Sequence, residues 1–425
     1  MKRRRLLSGI VATVATLCEA VWRLTHRVWT SSASVLLATF VSCTLLGQAG
    51  CHDPPTASTG QGVRELWSQS QNGESQARPL VSNDIVYFGT GTGEIVARDF
   101  ETGHMRWSTR VSFQSEIAGA NMTLRSGVLV ATGVWVVAGI DATTGVLRWT
   151  YTTPPDTVDA GANPAPGQLV VAHIDANDQV VYVPAWGASV SAVDLQSGQA
   201  GWVWHWTRTA SDTAANVFRS GAVGTRVSGD TVFVTGWHSR DRVGLTSENW
   251  LLALDRRTGQ ELARVTVASG TGGVSIFGSP ALHGNQVIFA GVGGRVWAVD
   301  RSTWRVAWQF AAKPKFSTLI AAELHGDTLY IDGGDEYLYA INAADGSPIW
   351  KANTGTGATR DLLVTDARVY YPTQGRLKVF DKGTGTFVAE ASVQKLGDIF
   401  ETPPTFARSR VFVATTPEAL SLAEP

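Results

Sequence analysis

The chain has 425 residues, 44% of them hydrophobic and 17% charged, a balance that suits a well-buried fold and excludes a disordered chain. The first 50 positions hold six Lys or Arg and one acid, Glu19, so the remainder carries 29 basic and 35 acidic residues, a net charge of −6. That acidic body has no electrostatic footprint for nucleic acid. The cysteines are Cys18, Cys43 and Cys51; everything after them lacks a disulfide, a cysteine metal site and a thiol nucleophile.

Lys2-Arg3-Arg4-Arg5 opens the chain, followed by apolar stretches from Leu6 to Leu17 and from Val35 to Leu46. Each is shorter than the roughly 20 residues a helix needs to cross a bilayer. The second runs into Gly47-Gln48-Ala49-Gly50-Cys51 and then a polar, turn-rich stretch. This order predicts an export leader over 1–50 and a flexible tether over 51–62. Ala49-Gly50-Cys51 resembles a bacterial lipoprotein box, with Gln48 where Leu is usual, and so predicts lipidation at Cys51. Cleavage after Ala49 without lipid and an uncleaved anchor are the alternatives.

From residue 63 onward one motif recurs: Ala-x-Asp-x-x-Thr-Gly-x-x-x-Trp. The first copy is complete, with Ala97, Asp99, Thr102, Gly103 and Trp107. The second has Asp141, Gly145 and Trp149, and the third Asp194, Gly198 and Trp202. The fourth has Asp255 and Gly259 but Ala263 in place of Trp. The fifth has Asp300 and Trp308, with Trp304 in place of Gly. The sixth has Asn342, Gly346 and Trp350, and the seventh Asp381 and Gly385 with Ala389. Successive copies are 42, 53, 61, 45, 42 and 39 residues apart. Forty residues beyond Asp381, Ala419-Leu-Ser421 is a degenerate eighth copy, and its missing Trp strand stands at the other end as Val63-Arg-Glu-Leu-Trp67.

A period near 42 with two alternating or apolar runs before each motif predicts four-stranded blades. The expected fold is all-β: an eight-bladed β-propeller of antiparallel blades over 63–425, closed by pairing the N-terminal strand with the last blade. Closure removes an otherwise unpaired sheet edge. The Asp and Gly of each copy read as turn residues, Asp bonding the turn backbone and Gly taking positive φ, and the Trp as an anchor between blades.

The motif resembles the pyrroloquinoline-quinone (PQQ) repeat family of β-propellers, and the leader with a single propeller is most similar to its outer-membrane assembly-factor lipoproteins. The resemblance implies an exported, lipid-anchored, non-catalytic scaffold on the periplasmic face of the envelope, at the outer membrane. It implies an envelope protein as partner, a β-barrel assembly protein among the candidates, and no cofactor. The same family contains quinoprotein dehydrogenases that use PQQ and calcium. That alternative is disfavoured by about 47 residues per blade and by the lack of an adjacent cysteine pair. A sensor or polysaccharide-binding module is the third reading.

No catalytic motif stands out. Gly89-Thr-Gly-Thr-Gly93 reads as a hairpin turn, and Asp175-Ala-Asn177-Asp178 and Asp332-Gly-Gly-Asp335 as solvated turns, since neither has a full calcium-loop spacing. The long spacings predict loop excursions near 150–168, 205–220 and 237–249, rising on one face. Trp204, Trp206, Trp237, His238, Arg240 and Arg242 lie at or beside them and are expected to be exposed partner-binding residues.

Overall fold

Each of the first seven repeats folds as one sheet whose strands follow chain order from the ring's centre outwards. Blade 1 is typical: a short inner strand Leu80–Ser82, then Ile85–Gly89, Glu94–Asp99 and the outer strand Met105–Arg110, all antiparallel. The computed structural model describes residues 61–71, 77–111, 122–133, 136–154, 174–185, 189–206, 219–239, 246–271, 276–291, 294–313, 322–373, 375–392, 402–415 and 418–425. The leader and Cys51 lie outside them. The described residues form eight such blades and no helix.

The ring closes across the chain ends. Glu65–Ser70 pairs antiparallel with Glu418–Ala423 and supplies the outer strand of blade 8, with Trp67 opposite Ser421. Just before it, Gln61–Gly62 pairs in parallel with the outer strand of blade 7, Gln61 opposite Ala389. These two residues, read from sequence as tether, are a fifth strand of that sheet.

The motif's chemistry is local. Asp99 Oδ1 accepts from the amides of Glu101 and Thr102 and from the Thr102 hydroxyl at 2.9–3.0 Å. Asp141, Asp194, Asp255, Asp300 and Asp381 do the same. Gly103 has φ +72, and a Cβ there would stand 2.7 Å from Trp67. Each motif Gly is the floor on which the previous blade's Trp lies, as Gly145 is for Trp107, Gly198 for Trp149, Gly259 for Trp202, Gly346 for Trp308 and Gly385 for Trp350. The indoles of Trp67, Trp149, Trp202 and Trp350 donate to backbone carbonyls of the next blade at 2.9–3.1 Å. Blades are therefore joined by the same residues that turn them.

The Ala of the motif has a cause as well. It lies in register between a residue of the second strand and the Trp of the outer one, as in Tyr87–Ala97–Trp107 and Tyr330–Ala340–Trp350. The flanking rings approach to 5.8 Å in both, so a small residue belongs between them. Every outer strand also has a β-bulge one residue before the Trp position, at Arg106, Arg148, Gly201, Leu262, Ala307, Ile349, Val388 and Leu66.

The motif carboxylates make stability pH-dependent. The Arg106 guanidinium holds Asp99 well below the usual carboxylate range, and Arg148 does so for Asp141. Hydroxyls of Ser197, Thr258 and Thr384 lower Asp194, Asp255 and Asp381, and the Thr303 amide lowers Asp300. A lowered folded pKa favours the fold above the unfolded value and loses that contribution as pH falls through the folded one. Melting temperature is therefore expected to be insensitive to these groups above about pH 5 and to fall steeply below about pH 4. Calorimetry from pH 7 to pH 2 measures it, and a flat profile down to pH 2 contradicts it.

Candidate functional site

The inner strands of all eight blades surround one axial cavity of about 750 Å³, touched by Leu80, Arg125, Asp175, Arg226, Ala281, Glu323, Leu363 and Phe406. Its cations are engaged in holding the ring. Arg125 Nε donates to Ala176 O at 3.2 Å, and Arg226 Nε to Pro280 O at 3.1 Å. Arg78 reaches Pro404 O at 3.3 Å and Leu362 O at 3.0 Å, and lies 3.9 Å from Glu323. Desolvation pushes the Glu323 carboxyl up, with Arg78 acting against it. Asp175 accepts from the Val227 amide at 2.9 Å, across a blade boundary. The sequence signal for these residues is their place just before the first hairpin turn, as in Arg125-Ser-Gly127 and Glu323-Leu-His-Gly326.

PQQ and calcium can be tested against this lining. Among the described residues no three His, Cys, Asp or Glu side chains are grouped to hold a metal ion. The chain has no cysteine after Cys51, and the channel arginines are committed to backbone carbonyls. The residues present do not fit that cofactor pair.

Blade 4 departs from the others. Its strands Arg219–Ser228, Thr231–Ser239, Thr246–Asp255 and Glu261–Thr271 have 10, 9, 10 and 11 residues, against six or fewer in blade 1. The segment 237–249, expected as a loop, is mostly the far end of this hairpin, with Trp237 opposite Asn249 and His238 opposite Glu248. The ladder continues there to Ser239 opposite Ser247.

Strand alternation then separates the expected partner-binding residues. Trp204, Trp206 and His238 face the seam between blades 3 and 4. Trp206 stacks on Trp250 at 5.7 Å and lies 4.8 Å from His238, and Arg264 covers it at 4.0 Å. His238 Nε2 is 2.9 Å from Glu248. Trp206 is 8% exposed and His238 2%, so these two are core, not exposed contact residues: longer strands need a longer seam, and these rings fill it. Trp204 is half-buried in the same cluster. Trp237 points to the other side of blade 4 and packs half-buried with Phe233, Phe289 and Trp297. Arg240 and Arg242 lie outside the described residues, as do most of 150–168 and 205–220.

Asp332 also corrects its sequence reading. It is 3% exposed and accepts from Tyr371 Oη at 2.9 Å, the Gly334 amide at 3.2 Å and the Ala358 amide at 3.1 Å. It is a buried tie between blades 6 and 7, raised in pKa by desolvation. Asp175 likewise turns inward, while Asn177 Oδ1 accepts from the amides of Gln179 and Val180 in a side-chain-capped turn. Gly89–Gly93 is the expected hairpin turn, with the Thr90 amide bonded to Glu94 O at 2.8 Å and Gly93 at φ 81.

The arrangement matches known proteins over most of its length. The family model described as outer membrane protein assembly factor BamB matches residues 56–240, 165–305 and 292–388. An outer membrane protein assembly factor BamB of Burkholderia pseudomallei (strain K96243) is 23% identical over 368 residues, covering 83% of this chain and 86% of that protein. The crystal structure of BamB from Moraxella catarrhalis superposes with a TM-score of 0.63 at 15% identity, covering 85% of this chain and 99% of that one. A quinohemoprotein alcohol dehydrogenase from Pseudomonas putida HK5 superposes equally well, with a TM-score of 0.64 at 11% identity over 85% of this chain and 76% of that one, so likeness of structure here speaks for the fold alone. The family match, spanning well over half of the chain, decides the matter: the chain belongs to the outer membrane protein assembly factor BamB family.

Proposed function

We propose that this chain is a non-catalytic scaffold in the assembly of outer-membrane β-barrel proteins, exported and lipid-anchored through Cys51 on the periplasmic side of the outer membrane. The observation that carries the reading is the family match across residues 56–388. The channel supports it, because its arginines hold the ring together instead of facing a ligand. The partner is a β-barrel assembly protein. Its docking surface is the far end of the blade 4 hairpin, where Trp237 borders the segment that carries Arg240 and Arg242. Aromatic and Arg side chains are the residue types that anchor interfaces.

Capture from solubilised membranes tests this. The full chain is expected to co-purify with the β-barrel assembly protein. A variant with 240–245 replaced by an Asn-Gly turn should melt normally and capture at least about tenfold less, equivalent to about 1.4 kcal/mol. Cys51→Ala should leave the membrane fraction and fail to incorporate labelled palmitate. Equal capture by the shortened hairpin sinks the docking surface. Stoichiometric retention of PQQ with calcium through gel filtration, without capture of the assembly protein, sinks the scaffold reading.

A further inference from the structure

A second cavity, a groove of about 660 Å³, lies between blades 3 and 4 on the face of the Asp turns. The half-buried Trp202 indole forms its floor beside Tyr182, their rings 6.0 Å apart. Asp194, Gln179, Gln199 and Arg257 stand around it.

One substitution opens this groove. In blades 1 and 2 the bulge residue before the Trp is an arginine that covers the second carboxylate oxygen of the motif Asp: Arg106 on Asp99 Oδ2 at 2.6 Å, and Arg148 on Asp141 Oδ2 at 2.5 Å. Blade 3 has Gly201 at that place. The backbone does not require glycine there. Gly201 has no positive φ, and a Cβ would meet nothing nearer than Ala192 O at 3.8 Å. The glycine therefore keeps open a space that an arginine side chain occupies in blades 1 and 2. Asp194 Oδ1 is engaged by its own turn, and without an arginine at 201 its Oδ2 is left to the groove.

The charges select the ligand. Arg256 and Arg257 share the one carboxylate of Asp230, at 3.4 and 3.6 Å, and Asp194 also lines the groove, so two carboxylates match the two cations and no net positive charge is left to draw a phosphate or carboxylate. What it offers is an aromatic face, one carboxylate acceptor and two side-chain amides that donate and accept. We propose that this groove binds an uncharged, hydroxyl-rich oligosaccharide, one sugar ring lying on Trp202 and its hydroxyls bonded to Asp194, Gln179 and Gln199. The site is independent of the blade 4 hairpin and of the docking reading above.

Isothermal titration of the full chain in detergent with chitotetraose, and separately with maltotetraose, tests it. Wild type and Gly201→Ala are expected to bind at least one of the two saturably. Gly201→Arg, which installs the residue of blades 1 and 2, should melt as wild type does and bind at least about tenfold more weakly. Gln199→Ala, an exposed change that leaves the fold alone, should weaken binding by about threefold or more. Absence of saturable binding of both sugars to wild type overturns the proposal. So does undiminished binding by Gly201→Arg or, if that variant melts early, by Gln199→Ala.

Discussion

Deleting residues 61–70 is expected to abolish cooperative unfolding. The segment supplies one strand to blade 7 and the outer strand of blade 8, so its loss leaves blade 8 with three strands and an unpaired edge. Trp67 goes with it. That indole is 7% exposed, lies on Gly103, donates to Phe100 O at 3.1 Å, and packs against Phe412 at 5.9 Å and Phe88 at 6.3 Å. Truncating such a buried Trp alone costs about 3–5 kcal/mol. Against a domain stability of about 5–15 kcal/mol, losing the strand as well leaves the ring open. Differential scanning calorimetry should show a broad, low-enthalpy transition with aggregation, and Trp67→Ala a sharp transition at lower temperature. A deletion variant that melts as wild type does contradicts the closure.

The repeat was legible in the sequence because its chemistry is short-range. Asp99, Thr102 and Gly103 bond within five residues, so spacing alone identifies the turn, and seven such turns with a split eighth predict both the blade count and the closure. Facing was not legible in the same way. Trp206 and His238 look like surface residues in a polar stretch, yet the seam between blades 3 and 4 buries them. Only the strand register shows that Trp237 points the opposite way from His238. The 61-residue spacing before Asp255 reads as a loop insertion because length does not distinguish a loop from a longer hairpin. Asp332 was misread for a related reason: its amide donor Ala358 and its partner Tyr371 belong to a later stretch of chain, 26 and 39 residues on. The groove at Gly201 is not legible in the sequence, because a glycine in a strand is indistinguishable there from one that the backbone conformation requires. Here its role lies in the side chain that it lacks.

The irregular fourth and fifth copies of the motif predict a strongly non-additive mutant cycle. At the seam between blades 4 and 5 the Trp position holds Ala263 and the Gly position holds Trp304. The exchange is reciprocal: the ring that at the Trp-bearing seams comes from the outer strand of the earlier blade comes here from the turn of the later one. Trp304 packs half-buried against the cluster of Phe233 and Ala263, with the Phe233 ring 6.4 Å away. It does so at φ 54, a conformation that costs a non-glycine residue about 1 kcal/mol. Trp304→Gly removes the ring but relieves that strain, for a net loss of about 1–2 kcal/mol. Ala263→Trp places a second indole where the first already lies, an overpacking worth about 1–3 kcal/mol. The double variant restores the arrangement of the regular seams, Trp on Gly, and should return to within about 1 kcal/mol of wild type, a coupling of about 2 kcal/mol between the two positions. Urea denaturation of the four proteins measures it through the midpoints at constant m-value. Additive single effects would mean that the two side chains do not share one space and that the irregular copies arose independently.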